Sequence, residues 1–92
     1  KKDIMTKQEL QSQLEVYAKE DLAIAKEQGS VIICETLEGV ITINYKDEEF
    51  QAFNSKGEQL TYWIYEGRML NFLVRTYDVT DVHIYDIIDT IS

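Results

Sequence analysis

LTYWIYEGRMLNFLVRTY, residues 60–77, is the stretch on which the reading of this chain turns. Two runs rich in aromatic and branched residues flank Glu66-Gly67, a pair short enough for a hairpin loop whose glycine takes the positive φ such a turn needs. On that reading Leu60, Tyr62 and Ile64 face one side of a sheet and Thr61, Trp63 and Tyr65 face the other. The stretch then supplies the last two strands of an antiparallel meander.

Upstream, Asn54-Ser55-Lys56-Gly57 is turn chemistry, preceded by a short strand over Phe50 to Phe53 and a charged connection over Lys46 to Glu49. Val31 to Leu37 and Val40 to Tyr45 are strand-like and joined by Glu38-Gly39, a second two-residue hairpin signal. Ile41, Ile43 and Tyr45 alternate with Val40, Thr42 and Asn44, so one face should be drier than the other. Before Gly29 the period becomes helical. Thr6 followed by Glu9 forms a capping box, and Met5 and Leu10 occupy the positions of a hydrophobic staple. The spacing predicts a helix from Lys7 to about Gln28, with Gly29 as its left-handed cap. Leu10, Leu14, Tyr17, Ala18, Leu22 and Ala25 share one face of it.

Downstream, DVTDVHIYDIIDTIS supports two readings. Ile84, Ile87, Ile88 and Ile91 fit a helical stripe capped by Thr80 or Asp81, while Val82-His83-Ile84-Tyr85 alternates as a sixth strand would. The helix is preferred. The expected fold is α+β: a long N-terminal helix packed on a meander of four or five antiparallel strands, with a short C-terminal helix.

At 92 residues the chain reads as one domain, 1–92, because a split would leave pieces too small to bury a core. Seventeen acidic against nine basic side chains give a net charge of −8, which repels phosphate backbones and argues against direct nucleic-acid binding. The bland account of that charge is a solvated, soluble surface. No apolar run approaches a membrane span. Cys34 is the only cysteine, which excludes an intrachain disulfide and a thiol zinc site and points to a reducing, cytoplasmic setting. The chain starts at Lys1, not at an initiator methionine, and carries no signal-like segment there; a few residues or a removed leader are expected to precede it.

Catalytic patterns are absent. His83 and Cys34 could form a base and a thiol nucleophile, but nothing local activates either, and Cys34 reads better as a small buried thiol. No serine stands in a nucleophile elbow. The four glycines all fall at element boundaries, leaving none to cradle a phosphate. Asp47, Glu48 and Glu49 are consecutive and lack the alternating oxygens and turn glycine of a calcium loop. Asp78, Asp81, Asp86 and Asp89 are spaced as a ridge, not a cage. The expectation is a non-enzymatic chain with no cofactor and no metal.

What remains are two surfaces. Residues 76–92 hold four acidic side chains and no basic ones, whereas residues 1–29 hold six acidic and five basic, so the negative field concentrates toward the C-terminus. Ten aromatics fall largely in the strands, and a single sheet layer with one helix leaves one face open. Trp63 and Tyr65, with Tyr45 and Phe53, could form an exposed patch there, unless a second helix covers it. The expected binding residues are Asp78, Asp81, Asp86, Asp89, Asp47, Glu48, Glu49, Trp63 and Tyr65.

In composition and size the chain resembles the small acidic inhibitors encoded by phages and mobile elements, anti-restriction and anti-CRISPR proteins among them. That resemblance implies a module whose carboxylates take the place of phosphates in the basic groove of a nucleic-acid-handling partner. An immunity protein or antitoxin that neutralises a cationic toxin would need the same surface. A structural subunit that self-assembles through an open sheet edge is the third reading.

Overall fold

The computed structural model describes residues 6–78. Its first helix, α1 (Lys7–Gln28), has the ends that its sequence predicts. The Thr6 hydroxyl accepts from the Glu9 N–H at 3.1 Å, and the Glu9 carboxylate accepts from the Thr6 N–H at 3.0 Å. Gly29, at φ 90°, closes the other end by donating its N–H to the Ala25 carbonyl. Leu14, Ala18, Leu22 and Ala25 are buried along one stripe, with Leu10 and Tyr17 packed at its margins.

Four strands follow: β1 (Ser30–Thr36), β2 (Gly39–Lys46), β3 (Glu49–Asn54) and β4 (Ile64–Tyr65). They form one antiparallel sheet in the order β1-β2-β3-β4. The register sets Val31 opposite Ile43, Ile33 opposite Ile41 and Ile43 opposite Ala52, which gathers the apolar side chains onto the helix-facing side. Tyr45 stands opposite Phe50 on that side, the ring centroids 4.9 Å apart. Ile32, Thr42 and Phe53 line up on the opposite face, where Ile32 and Val40 are exposed.

The chain departs from its expected course at Glu66. The predicted hairpin partner of residues 60–65 is the helix α2 (Glu66–Thr76). Met69, Leu73 and Thr76 are buried at steps of four and three residues and belong to the same core as Leu14, Ala18 and Leu22. Read as a strand, the segment would divide Met69 and Leu73 from Leu70, Phe72 and Val74, placing apolar side chains on both faces of a sheet whose described helices cover only one. As a helix, the segment buries Met69 and Leu73 and packs Leu70, Phe72 and Val74 against the same core, each fully buried Leu or Met contributing about 1.5–3 kcal/mol. Residues 60–63 are correspondingly irregular: Gln59 makes an isolated bridge to Phe53 of β3, and regular pairing resumes only at Ile64 and Tyr65. The backbone amides of Leu60 and Thr61 donate to the Ala52 carbonyl, and the Thr61 hydroxyl accepts from the Ala52 amide, so this segment still lies along β3.

Two turns also differ from their sequence reading. Thr36 pairs with Gly39, so the first hairpin turns on Leu37-Glu38 and Gly39 supplies a positive φ of 80° at the start of β2. The expected charged connection at Lys46–Glu49 is a tight hairpin: Lys46 pairs with Glu49, and Asp47 and Glu48 sit at φ 52° and 66°. Positive φ at both central residues is the geometry of a type I′ turn, which suits the twist of the flanking strands. Cys34, expected as a buried thiol, is exposed.

Past α2 the chain returns to the outer edge of β1. Thr36 and Tyr77 form an antiparallel bridge, the Leu37 amide donates to the Thr76 carbonyl, and the Asp78 amide donates to the Glu35 carbonyl. The sequence segment read as a C-terminal helix or sixth strand lies outside the described residues. The short helix that completes the α+β architecture is α2, which ends at Thr76, just ahead of that segment. No helix among the described residues is long and apolar enough to cross a membrane.

Candidate partner-binding surface

The β2–β3 turn brings together charge and aromatic surface that lie apart in the chain. Because Asp47 and Glu48 occupy the two turn positions, both carboxylates stand at the tip of a two-residue hairpin held by the Lys46–Glu49 pair. Both are exposed, as are Lys46 and Glu49. A turn this short has few alternative backbone states, so the carboxylates are presented on a rigid base.

The register between β3 and β4 then carries the aromatics to the turn. Tyr65 pairs with Glu49 and Ile64 with Phe50. Trp63, one residue earlier, lines a shallow depression of about 210 Å³ together with Lys46, Asp47 and Glu49. Trp63 remains 40% exposed and Tyr65 62%, so neither has been absorbed into the core. Tyrosine and tryptophan at the edge of such a depression are the side chains that anchor protein interfaces most often.

Gly67 has a different role from the one its place in the sequence suggests. Its φ is not positive; a Cβ on it would lie 3.0 Å from Cε2 of the Tyr65 ring. The absent side chain therefore lets the Tyr65 ring lie over the first turn of α2. Beside it, Glu66 forms an ion pair with Lys26 that ties the end of α1 to the start of α2. Both side chains are about half exposed, which limits the pair to 0–1 kcal/mol or so. The hydrogen bond with Glu66 holds the Lys26 ammonium above the usual lysine range, with smaller support from the charges of Glu66 and Glu48.

Asp47, Glu48, Glu49, Trp63 and Tyr65 thus form one neighbourhood. Asp78 belongs elsewhere. It bonds to Glu35 on the β1 edge, three strands from β4 and at the far end of β1 from the Asp47 turn, since Ser30, at the near end, pairs with Asn44. Asp81, Asp86 and Asp89 lie outside the described residues. Tyr45 leaves the expected aromatic patch because it packs on Phe50 on the helix side, while Phe53 is half-buried on the open face. Among the described residues no group of three or more His, Cys, Asp or Glu side chains is arranged to hold a metal ion.

Sequence reasoning missed the basic counterpart of this surface. Arg68 and Arg75 lie on the side of α2 that faces residues 60–64, and with Leu60, Tyr62, Ile64 and Phe72 they line a groove of about 240 Å³. Reading 68–77 as a strand set the two arginines on opposite faces; the seven-residue spacing, two turns of helix, was the signal that could have joined them. Comparisons with protein-family models, curated proteins and solved structures find no match to this chain.

Proposed function

We propose that this chain is a protein-binding inhibitor that inserts the Asp47-Glu48-Glu49 turn, flanked by Trp63 and Tyr65, into a basic groove of a nucleic-acid-handling partner. The observation that carries this reading is the juxtaposition of three exposed carboxylates, two on a two-residue turn and Glu49 beside it, with the exposed rings of Tyr65 on the adjoining strand and of Trp63 just before it. Carboxylates held this way compete with phosphate oxygens for Lys and Arg, and the rings supply the apolar contact that fixes orientation. The overall charge of −8 steers encounter with a cationic partner and keeps free nucleic acid away.

The test is affinity capture from extract of the source organism and its phage or plasmid complement. It uses the wild-type chain and two variants, Asp47→Asn/Glu48→Gln/Glu49→Gln and Trp63→Ala. A nucleic-acid enzyme retained by wild type at low salt, released at high salt and lost with either variant supports the proposal, provided that the wild-type chain then blocks its nucleic-acid binding. Equal capture by all three chains overturns it. Whether the captured enzyme is a defence nuclease or a secreted toxin separates an anti-defence inhibitor from an immunity protein.

A further inference from the structure

We infer that the groove between α2 and residues 60–64 binds an acidic peptide, with apolar side chains on its floor and carboxylates on Arg68 and Arg75. The chain contains only two arginines, and both line this one groove. Among the described residues neither guanidinium has a carboxylate partner, and the one hydrogen bond of either is from Arg75 Nε to the Asn71 carbonyl at 3.3 Å. In a chain that carries almost twice as many acids as bases, two exposed arginines along one groove make a local positive patch on an acidic surface.

The chemistry between the arginines selects the ligand class. Leu60, Ile64 and Phe72 make an apolar floor, and Tyr62, 81% exposed, forms a rim that nothing in the described structure covers. Arg68 and Arg75 are separated by seven helical residues, about 10.5 Å of rise. Acidic residues three apart on a peptide in the polyproline II conformation lie on one side and span about 9 Å, so two carboxylates can meet the two guanidinium groups while an intervening apolar side chain reaches the floor. Bidentate Arg–carboxylate pairing adds direction to that match. A nucleic-acid strand also presents anions to arginine and bases to tyrosine, but the net charge of −8 opposes a polyphosphate far more strongly than a peptide with two or three acids. This surface is independent of the acidic turn, and its occupant has the opposite charge to the partner proposed for that turn.

Selection from a random dodecapeptide display library tests the inference, run in parallel on the intact chain and on the Arg68→Gln/Arg75→Gln variant. Both positions are exposed on α2, so the variant should retain its far-UV circular dichroism; Tyr62→Ser, at the rim, serves as a second variant. Wild type should enrich peptides with paired Asp or Glu residues about three apart and Leu, Ile or Phe between them. The best peptide, synthesised with a fluorescent label, should lose at least about tenfold in affinity on the double variant and when its acids are replaced by amides. Absence of enrichment, enrichment of neutral or basic peptides, or equal affinity for the folded variant overturns the inference. So does tighter, arginine-dependent binding of a labelled single-stranded oligonucleotide.

Discussion

The Tyr77 hydroxyl donates a 2.5 Å hydrogen bond to the Asp21 carboxylate, joining residues 56 positions apart. Tyr77 is buried at the point where the chain leaves α2 and pairs with β1, and Asp21 lies on α1 beside the buried Leu22. The bond therefore ties three elements together at a single place, the middle of α1, the end of α2 and the outer edge of the sheet. Burial pushes the Asp21 carboxyl above its ordinary value, the Tyr77 bond pulling it partly back and the charges of Glu35 and Glu20 adding to the rise. Burial likewise pushes the Tyr77 phenol up, the hydrogen bond to Asp21 and its charge acting in the same direction.

That arrangement has a definite pH dependence. A carboxyl whose folded pKa is raised binds its proton more tightly in the folded chain, so its contribution to stability is fully present below its unfolded value of 3.8 and is lost as pH rises through the folded pKa. Asp21→Asn keeps an acceptor for Tyr77 and removes the charge. The variant should be more stable than wild type at pH 7, with the advantage shrinking as pH falls through the carboxylate range. Urea midpoints of both chains at pH 7 and pH 3.5 measure this, and a difference that does not vary with pH contradicts it. Tyr77→Phe leaves the carboxylate without its donor and should cost about 1–2 kcal/mol at pH 7.

Glu48 is held at φ 66°, where a side chain costs about 1–2 kcal/mol relative to glycine. Glycine loses about 0.5–1 kcal/mol of that advantage through its greater freedom when unfolded. Glu48→Gly should therefore stabilise the domain by roughly 0.5–1 kcal/mol, seen as a higher urea midpoint with an unchanged slope. The same variant removes one of the three turn carboxylates, so weaker partner binding from a more stable protein separates function from folding at this position.

Gly67→Ala distinguishes α2 from a hairpin directly. At a helical position alanine gains about 1 kcal/mol over glycine, and the new Cβ meets only the far edge of the exposed Tyr65 ring, which can turn aside. A rise in melting temperature is expected, together with a changed Tyr65 environment by NMR. In a hairpin, alanine at a positive φ would lower the melting temperature instead.

Leu73 is fully buried, whereas Val16 on the outer side of α1 is 48% exposed. Leu73→Ala should cost about 2–5 kcal/mol, and Val16→Ala should stay within about 0.5 kcal/mol of wild type. Comparable losses at the two sites would mean that α2 does not contribute its Met69–Leu73 stripe to the core.

Cys34 lies on β1 and is exposed. A maleimide reagent should label it rapidly in native buffer, at a rate close to that in denaturant at the same pH. Strong protection in the native state would show that something covers β1 there.

The local signals of this chain were legible without its structure. A capping box, a C-terminal glycine and a stripe of apolar residues act within a few positions of one another, so both ends of α1 and its buried face follow from residues 6–29 alone. The alternation of Ile41, Ile43 and Tyr45 similarly determines which side of β2 is dry. Residues 66–76 were different, because a short apolar run satisfies both a strand and a helical pattern, and the flanking Glu66-Gly67 pair suits either a hairpin loop or a first helical turn. Only the tertiary structure decided between them: one face of the sheet carries the core, and as a helix the segment brings to that core, along with Met69 and Leu73, the side chains of Leu70, Phe72 and Val74, which a strand would have put on the other face. The candidate site was decided at the same level. Asp47, Glu48 and Glu49 were visible as a charge run and Trp63 and Tyr65 as aromatics, but their adjacency arises from the Lys46–Glu49 and Glu49–Tyr65 pairings, and strand register is a property of the assembled sheet.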